Sequence, residues 1–270
     1  MKFKTYIIST ANSKRRDFQK NQLKNLNIDY EFIDAETPET ISLPSYEKHK
    51  YDWQRKLKVT EYACYLSHRN TWSITSEASI PSLILEDDAL ISNELIKLIS
   101  HFDFNMNIDY LNIENRGRKK ILSRKKSMVV NEIFISKLFH DTTGAASYFL
   151  WPNGAKKLLT HESKNGIALA DAQIVSCKTL IKYQIEPSLA IQLDMATFYG
   201  FKKNKDFNAI SKSSVSSKYK EKKSLRFIVK RIKFQILLGL KKIYLIFIYR
   251  SCYIDIANKD TFNYQIGQKK

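Results

Sequence analysis

Three consecutive carboxylates, Glu86, Asp87 and Asp88, follow the uninterrupted apolar run at residues 82–85. The apolar run is typical of a buried strand, and like charges at its end are costly to bury unless a cation neutralises them. Because side chains alternate along a strand, Glu86 and Asp88 are expected on one face and Asp87 on the other. Such oxygen ligands suit Mn²⁺ or Mg²⁺, which would keep water and substrate phosphate as further ligands. The alternative is a solvated loop, since acidic triplets are common.

Four other polar side chains could take part in chemistry at this site. Arg15 and Arg16 follow the first predicted strand, and guanidinium groups match the oxygens of a diphosphate; a solvated helix start is the alternative. His68 lies in a helical pattern, where it could be catalytic or a hydrogen-bonded core residue. Asp171 is a carboxylate in an apolar context at a predicted helix start, where it could also be an ordinary N-terminal helix acid.

The segments around these residues predict an α/β fold. Strands are expected at residues 3–9 and 30–35 on either side of a helix at 14–25, an opening typical of a mainly parallel sheet. Residues 36–58 are expected to form a surface loop. Further helices are predicted at 60–72, 154–160 and 167–180, and further strands at 82–85, 110–114 and 145–151, with 185–192 closing the body. Ligands in such sheets bind beyond the carboxyl ends of strands, where the acidic triplet would lie.

Composition and charge divide the chain into a body and a basic appendage. The 270 residues are 43% hydrophobic and 27% charged, which allows a buried core and excludes wholesale disorder. The net charge is +18, but residues 201–250 contain 15 Lys and Arg against two acidic residues. We therefore predict a nearly neutral catalytic domain at residues 1–200, a Lys/Ser-rich linker at 201–224 and a basic amphipathic tail at 225–270.

The tail pattern predicts a helix that lies on a membrane. At helical spacing, residues 225–250 gather basic side chains on one side and long aliphatic side chains on the other. The longest uncharged runs have seven residues, too few to span a bilayer. A basic amphipathic helix on an anionic membrane surface is therefore expected. The alternative is a helix packed on the body or on a second subunit.

The remaining sequence features favour a cytoplasmic location, peripheral on the inner face of the cytoplasmic membrane. The N-terminal apolar run, residues 6–8, is shorter than a secretory signal requires. The three cysteines form no CxxC pair, so a disulfide scaffold and a zinc ribbon are both disfavoured and a reducing compartment is expected.

The order of these segments resembles glycosyltransferase family 25, the bacterial lipooligosaccharide and lipopolysaccharide sugar transferases. The resemblance covers about residues 3–193, and its two most specific blocks occur in the family's order. The matching segments are the first strand with Ser9 and Arg15-Arg16, Phe32-Ile33-Asp34-Ala35, Thr60-Glu61-Tyr62-Ala63-Cys64-Tyr65-Leu66-Ser67-His68 with Trp72, Leu83-Ile84-Leu85-Glu86-Asp87-Asp88-Ala89, Thr143-Gly144-Ala145-Ala146-Ser147-Tyr148, Gly154-Ala155-Lys156-Lys157-Leu158-Leu159, Asp171 and Glu186-Pro187-Ser188-Leu189-Ala190-Ile191-Gln192.

The resemblance implies a single GT-A-like domain, a nucleotide-sugar donor (commonly UDP-galactose), a divalent metal, inversion at the anomeric carbon and a lipid-linked oligosaccharide acceptor. In this scheme Asp88 contacts the metal directly, and Glu86 contacts the donor ribose or a metal-bound water. Asp171 takes the proton of the acceptor hydroxyl, and His68 is a further catalytic candidate. The expected donor-binding residues are Ser9, Arg15, Arg16, Glu86 and Asp87.

Two other functional classes fit part of the pattern. A metal-dependent phosphoryl-transfer or nucleic-acid-processing enzyme would also use clustered carboxylates and positive charge. A non-enzymatic module that binds membrane or nucleic acid would leave the triplet without a role. The nearly neutral body and the aliphatic character of the tail both argue against a nucleic-acid partner.

Overall fold

A computed structural model of the chain describes residues 2–141, 144–201, 210, 232, 239–240 and 242–262. The elements in chain order are β1 (Lys4–Ser9), α1 (Arg15–Asn25), β2 (Glu31–Asp34), α2 (Leu43–His49), α3 (Val59–Glu77), β3 (Ser82–Glu86), β4 (Ala89–Ile91), α4 (Glu94–His101), β5 (Tyr110–Asn112), β6 (Lys120–Leu122), β7 (Ser127–Val130), β8 (Ile133–His140), β9 (Ser147–Leu150), α5 (Pro152–Asn165), α6 (Ala170–Ser176), β10 (Lys182–Glu186), β11 (Ala190–Gln192) and β12 (Arg250–Cys252). Short 3₁₀ turns lie at Leu193–Met195 and Lys259–Thr261.

The α/β class is confirmed, but the expectation of a mainly parallel sheet is wrong. The large sheet has the order β12-β6-β8-β10-β5-β9-β3-β1-β2, with β7 beside β8, and β4 pairs with β11 separately. Strand β1 is parallel to β2 and β3, and β10 is parallel to β5. Strand β9 runs antiparallel between β3 and β5, and β8 runs antiparallel to β10, β6 and β7. A fully buried apolar run such as β9 predicts a strand but carries no information on its direction.

Helices cover the part of the sheet around β1 and β3 on both faces. Ile7 and Leu85 pack into one hydrophobic cluster, which also contains side chains of α1 and α4. Their neighbours Ile8 and Ile84 point the other way, into a second cluster with side chains of α3, α5 and α6. Because successive side chains of a strand point to opposite faces, double coverage explains why β1 and β3 are apolar almost throughout.

Helix α3 contributes both aromatic and polar buried side chains beside the second cluster. Tyr62, Tyr65 and Trp72 lie at helical spacing on its buried side, and His68 is fully buried among them. At its first turn, the Glu61 carboxylate accepts a hydrogen bond from the Lys58 backbone N–H, 2.9 Å between nitrogen and oxygen. The helix therefore extends from the predicted segment to Glu77 and delivers His68 to the end of β3.

The C-terminal region returns to the body. Residues 242–248 are helical, and β12 pairs antiparallel with β6. Phe262 belongs to the first hydrophobic cluster. Most of the predicted linker and of the amphipathic helix lies outside the described residues, so the division at residues 200 and 224 stays a prediction. Among the residues that the structure describes, no helix is both long and apolar enough to cross a bilayer.

The start of α5 lies so close to β5 that only glycine fits at one position. A Cβ atom on Gly154 would lie 2.3 Å from the Asp109 carbonyl oxygen. The Asp109 carboxylate also accepts hydrogen bonds from Asn153 Nδ2 (3.0 Å), Lys157 Nζ (2.6 Å) and the Ile181 backbone N–H (2.7 Å). Asp109 thus joins α5, β5 and the segment before β10.

We predict that Gly154→Ala destabilises the fold by about 1–3 kcal/mol, because the added methyl group must displace backbone rather than a flexible side chain. The matched control is Gly239→Ala, where a Cβ would meet no atom within 4 Å. At that helical position, the substitution should not lower the free energy of unfolding and should raise it by up to about 1 kcal/mol. Urea unfolding measures both, and equal stabilities of the two variants would contradict the close approach.

Candidate active site

A cleft of about 670 Å³ opens at the carboxyl ends of β1 and β3. The two strands are parallel and Ile8 pairs with Glu86, so both chains leave the sheet at the same edge. Seven of the predicted site residues line the cleft, namely Ser9, Arg15, His68, Glu86, Asp87, Asp88 and Asp171. The structure therefore brings together residues that are up to 162 positions apart in the sequence.

Asp87 accepts hydrogen bonds from the end of β1, from the turn that follows and from the start of α1. Its Oδ2 accepts hydrogen bonds from Ser9 Oγ and Ser13 Oγ, each at 2.8 Å, and its Oδ1 accepts one from Arg15 Nη1 at 3.0 Å. Strand β3 ends at Glu86, so Asp87 and Asp88 lie beyond the strand, and the side-chain alternation predicted for the triplet does not continue through them. Asp87 consequently fixes the shape of the cleft wall and orients Arg15.

Asp88 is the least satisfied carboxylate of the triplet. Its Oδ2 lies 3.7 Å from Arg15 Nη1, while its buried Oδ1 has no hydrogen-bond partner among the described residues. Burial and the neighbouring charge of Glu86 raise the pKa of Asp88 well above its usual value, although Arg15 opposes this. A buried carboxyl with an unpaired oxygen fits a position that a cation would complete.

Glu86 has partners on both oxygens. His68 Nε2 lies 3.1 Å from Oε1, and Gln192 Nε2 donates to Oε2 at 3.2 Å. Burial by itself would raise the pKa of Glu86, but the hydrogen bond and charge of His68 outweigh it, so the pKa lies below its usual value. The pKa values of Glu86 and Asp88 are therefore shifted in opposite directions, although the two residues are only two positions apart.

A chain of hydrogen bonds orients His68. Trp72 Nε1 donates to the Tyr148 hydroxyl oxygen at 2.8 Å, and that hydroxyl lies 3.0 Å from His68 Nδ1. His68 Nδ1 therefore faces the Tyr148 hydroxyl while Nε2 faces the Glu86 carboxylate, so both ring nitrogens have partners. His68 lines the cleft, but its two ring nitrogens are engaged, so it positions Glu86 rather than acting as a free base.

A second possible metal-binding group overlaps this chain. One donor atom each of Cys64, His68 and Glu86 lie within 4.8 Å of one another. Burial, assisted by the charge of Glu86, raises the pKa of the Cys64 thiol far above its ordinary value. A metal-bound cysteine must be a thiolate, and Mn²⁺ and Mg²⁺ prefer oxygen ligands. This trio therefore fits those ions less well than Asp88 does.

Asp171 and Arg16 occupy different surroundings. Asp171 lies in the first turn of α6, where its Oδ1 accepts the Ala172 backbone N–H at 2.7 Å. Burial raises the pKa of Asp171, and the charge of Glu86 adds to the effect. Arg16 is not among the residues that line the cleft. It pairs with Asp34, and its guanidinium lies 4.7 Å from the centroid of the Phe32 ring.

Several residues of the cleft had no predicted role. Gln192 was part of the family resemblance but was assigned no contact, although it holds Glu86. Arg116 and Asp194 form an ion pair of 2.8 Å in the cleft wall. Neither shows a local sequence signal, because the two residues meet only through the tertiary fold.

Glu114 is a further carboxylate that the sequence did not indicate. It is 1% exposed, and its Oε2 accepts the backbone N–H groups of Ala146 (2.7 Å) and Ser147 (3.3 Å). The Ala146 carbonyl in turn accepts the Glu86 N–H at 2.8 Å. A Cβ on Gly144, which lines the cleft, would lie 2.8 Å from Glu114 Oε1. Burial and the charge of Glu86 raise the pKa of Glu114 to about 7.

Comparison with known proteins agrees with the geometry. Residues 2–174 match the model of glycosyltransferase family 25, described as LPS biosynthesis protein. A Haemophilus influenzae protein described as a proposed glycosyltransferase is 29% identical over 160 residues. That alignment covers 57% of this chain and 56% of the relative, so the chain spans about half the length of the protein it matches. The matched segment contains every predicted site residue from Ser9 to Asp171.

We predict that Glu114→Gln flattens the pH dependence of stability. The folded pKa of about 7 exceeds the ordinary value of 4.5, so the folded state binds the proton more tightly. The free energy of unfolding of the wild type should therefore decrease as the pH rises from 4.5 to 7, by up to about 3 kcal/mol. The glutamine side-chain oxygen can still accept the Ala146 N–H. The stability of the variant relative to the wild type should therefore increase from pH 5 to pH 8, as measured by urea unfolding. An unchanged difference across this range would contradict the assignment.

Proposed function

Because the chain belongs to glycosyltransferase family 25, we propose that the cleft transfers a sugar, galactose, from a UDP-sugar to a lipid-linked oligosaccharide acceptor. The acceptor is a lipooligosaccharide or lipopolysaccharide glycan, and transfer inverts the anomeric carbon. One observation carries the proposal: the unsatisfied Asp88 carboxyl lies beside Arg15 in a cleft of about 670 Å³ that Asp171 also lines. That volume is suitable for a small organic ligand.

The residues at the end of β3 fit a hard divalent cation, Mn²⁺ or Mg²⁺. Asp88 would hold the ion through its unpaired Oδ1. Glu86, whose oxygens are engaged by His68 and Gln192, would act through a water or on the donor ribose. The ion would neutralise charge on the donor diphosphate. Carboxylate oxygens are the donors such ions select.

Arg15 is the proposed contact for the leaving diphosphate. Its guanidinium lines the cleft, and the Asp87 carboxylate and the Ile210 carbonyl (2.6 Å) fix it in place. Negative charge develops on the diphosphate as its bond to the sugar breaks, and a cation already in position stabilises that charge without reorganisation. Arg16 is engaged with Asp34, so we assign it to the support of the β1–β2 edge rather than to the donor.

Asp171 is the proposed general base. The acceptor hydroxyl oxygen forms a bond to the anomeric carbon, the bond from that carbon to the diphosphate oxygen breaks, and the hydroxyl proton passes to the Asp171 carboxylate. A single displacement of this kind inverts the anomeric carbon. The raised pKa of Asp171 brings its proton affinity closer to what a base needs near neutral pH.

We propose that the enzyme works on the inner face of the cytoplasmic membrane. The basic residues at 201–250 and the hydrophobic anchor of a lipid-linked acceptor both support this location. The nearly neutral remainder of the chain argues against a nucleic-acid partner.

Asp88→Asn should abolish Mn²⁺-dependent binding of UDP-galactose, with a loss in affinity of more than about 100-fold for a direct ligand. The stability of the metal-free protein should stay the same or rise, because the variant removes a like charge beside Glu86. Calorimetric titration measures the affinity. The control is Asp34→Asn, at the same sheet edge but outside the cleft lining, which should bind normally. Normal donor binding by Asp88→Asn would remove Asp88 from the metal site.

Asp171→Asn should keep donor affinity and lose turnover by about 10²–10⁴-fold, as expected for a general base. Transfer of labelled galactose to purified lipooligosaccharide acceptor gives the rate, and calorimetry gives the donor affinity. If both fall together, Asp171 binds the donor or supports the fold instead.

A further inference from the structure

The described end of the C-terminal region exposes large apolar side chains. Within residues 240–253, Leu245 is buried with 7% exposure, whereas Phe247 is 80% exposed. We name the exposed set the C-terminal apolar patch; it consists of Leu240, Ile243, Tyr244, Ile246, Phe247, Ile248 and Tyr253. Contiguous apolar surfaces on soluble proteins commonly mark interaction sites.

The patch is held against the body. Arg124 donates hydrogen bonds to the carbonyl oxygens of Ile248 (Nε, 3.0 Å) and Phe247 (Nη2, 3.3 Å). The Tyr249 ring stacks on Phe139 with 3.7 Å between the ring centroids. Because β12 then pairs with β6, the apolar side chains keep a defined orientation relative to the sheet.

Basic side chains of the body border the patch. Segment 116–126 contains seven Lys and Arg and no acidic residue. We name its exposed members the basic rim: Arg118, Lys119, Arg124, Lys125 and Lys126. Lys119 Nζ lies 5.3 Å from the centroid of the Tyr253 ring, and Arg124 contacts the helix as described. Lys119 and Arg124 therefore place two cations directly beside the apolar patch.

We propose that the C-terminal apolar patch and the basic rim together dock the protein on an anionic lipid bilayer. Aliphatic and aromatic side chains insert at the boundary of headgroups and acyl chains, while Lys and Arg contact the anionic headgroups. A second copy of the chain fits less well, because a two-fold interface through the patch would bring two basic rims together. Nucleic acid would favour spaced stacking rings over the aliphatic side chains of this patch.

The position of the rim connects docking to the cleft, and this step rests on the proposed function. Arg116 lines the cleft, and Lys119 of the rim follows three residues later. Three residues of chain reach at most about 11 Å. The docking surface therefore borders the cleft, where a lipid-linked acceptor could reach it from the membrane.

Vesicle flotation of the full-length protein tests the proposal. The wild type should float with vesicles of phosphatidylcholine and phosphatidylglycerol at low salt, and not with phosphatidylcholine alone. Phe247→Ser should reduce the partition coefficient about tenfold or more, and Lys125→Gln should reduce it about fivefold. Matched controls are Leu43→Ser, which alters an apolar side chain that is 64% exposed on α2, and Lys24→Gln, which removes an exposed charge on α1. Both should float like the wild type.

The proposal would be overturned by no flotation with anionic vesicles, by equal loss of flotation in the test and control variants, or by a wild-type dimer that Phe247→Ser converts to a monomer. Tighter binding to an oligonucleotide than to the vesicles would also overturn it. Binding of UDP-galactose in solution, measured on the same samples, should be unchanged by Phe247→Ser. If the wild type did not bind UDP-galactose, the proposed function would be contradicted, whereas the membrane-docking proposal would still stand.

Discussion

Three donors converge on the Asp87 carboxylate from the end of β1, the turn after it and the start of α1, and the rest of the site depends on this contact. Ser9, Ser13 and Arg15 each contribute one hydrogen bond, so the end of β3 and the start of α1 are joined at the sheet edge. The contact fixes Arg15 where its charge also reaches Asp88. Without it, the cleft would lose both its wall and its fixed cation.

The pKa values of the two carboxylates on either side of Asp87 are shifted in opposite directions. His68, oriented by Tyr148 and Trp72, holds the pKa of Glu86 down, whereas burial and the charge of Glu86 itself hold the pKa of Asp88 up. Titratable neighbours with opposed pKa shifts are characteristic of functional sites. The arrangement favours the charged form of Glu86 and disfavours that of Asp88, and a cation bound at Asp88 would offset the cost of its charge.

The sequence predicted those parts of the fold and site that local pattern determines. Strands β1 and β3 and helix α3 were predicted because apolar runs and helical spacing reflect burial directly. The direction of β9 was not, since a strand buried on both faces has the same apolar pattern in either direction. Glu114 was not predicted because its burial arises from the pairing of β5 between β9 and β10, which no local motif records. The predicted separation of Asp87 from Glu86 and Asp88 agrees with the different partners of Asp87, but those partners, Ser9, Ser13 and Arg15, could not be read from the strand pattern.

The most direct test of the account is a thermal-shift screen of nucleotide sugars against the purified protein, with and without Mn²⁺. The account predicts that a UDP-sugar raises the melting temperature when Mn²⁺ is present and has little effect without it, because the cleft places Asp88 and Arg15 side by side for a metal-bound diphosphate. Stabilisation by oligonucleotides but by no nucleotide sugar, in the presence or absence of Mn²⁺, would contradict it.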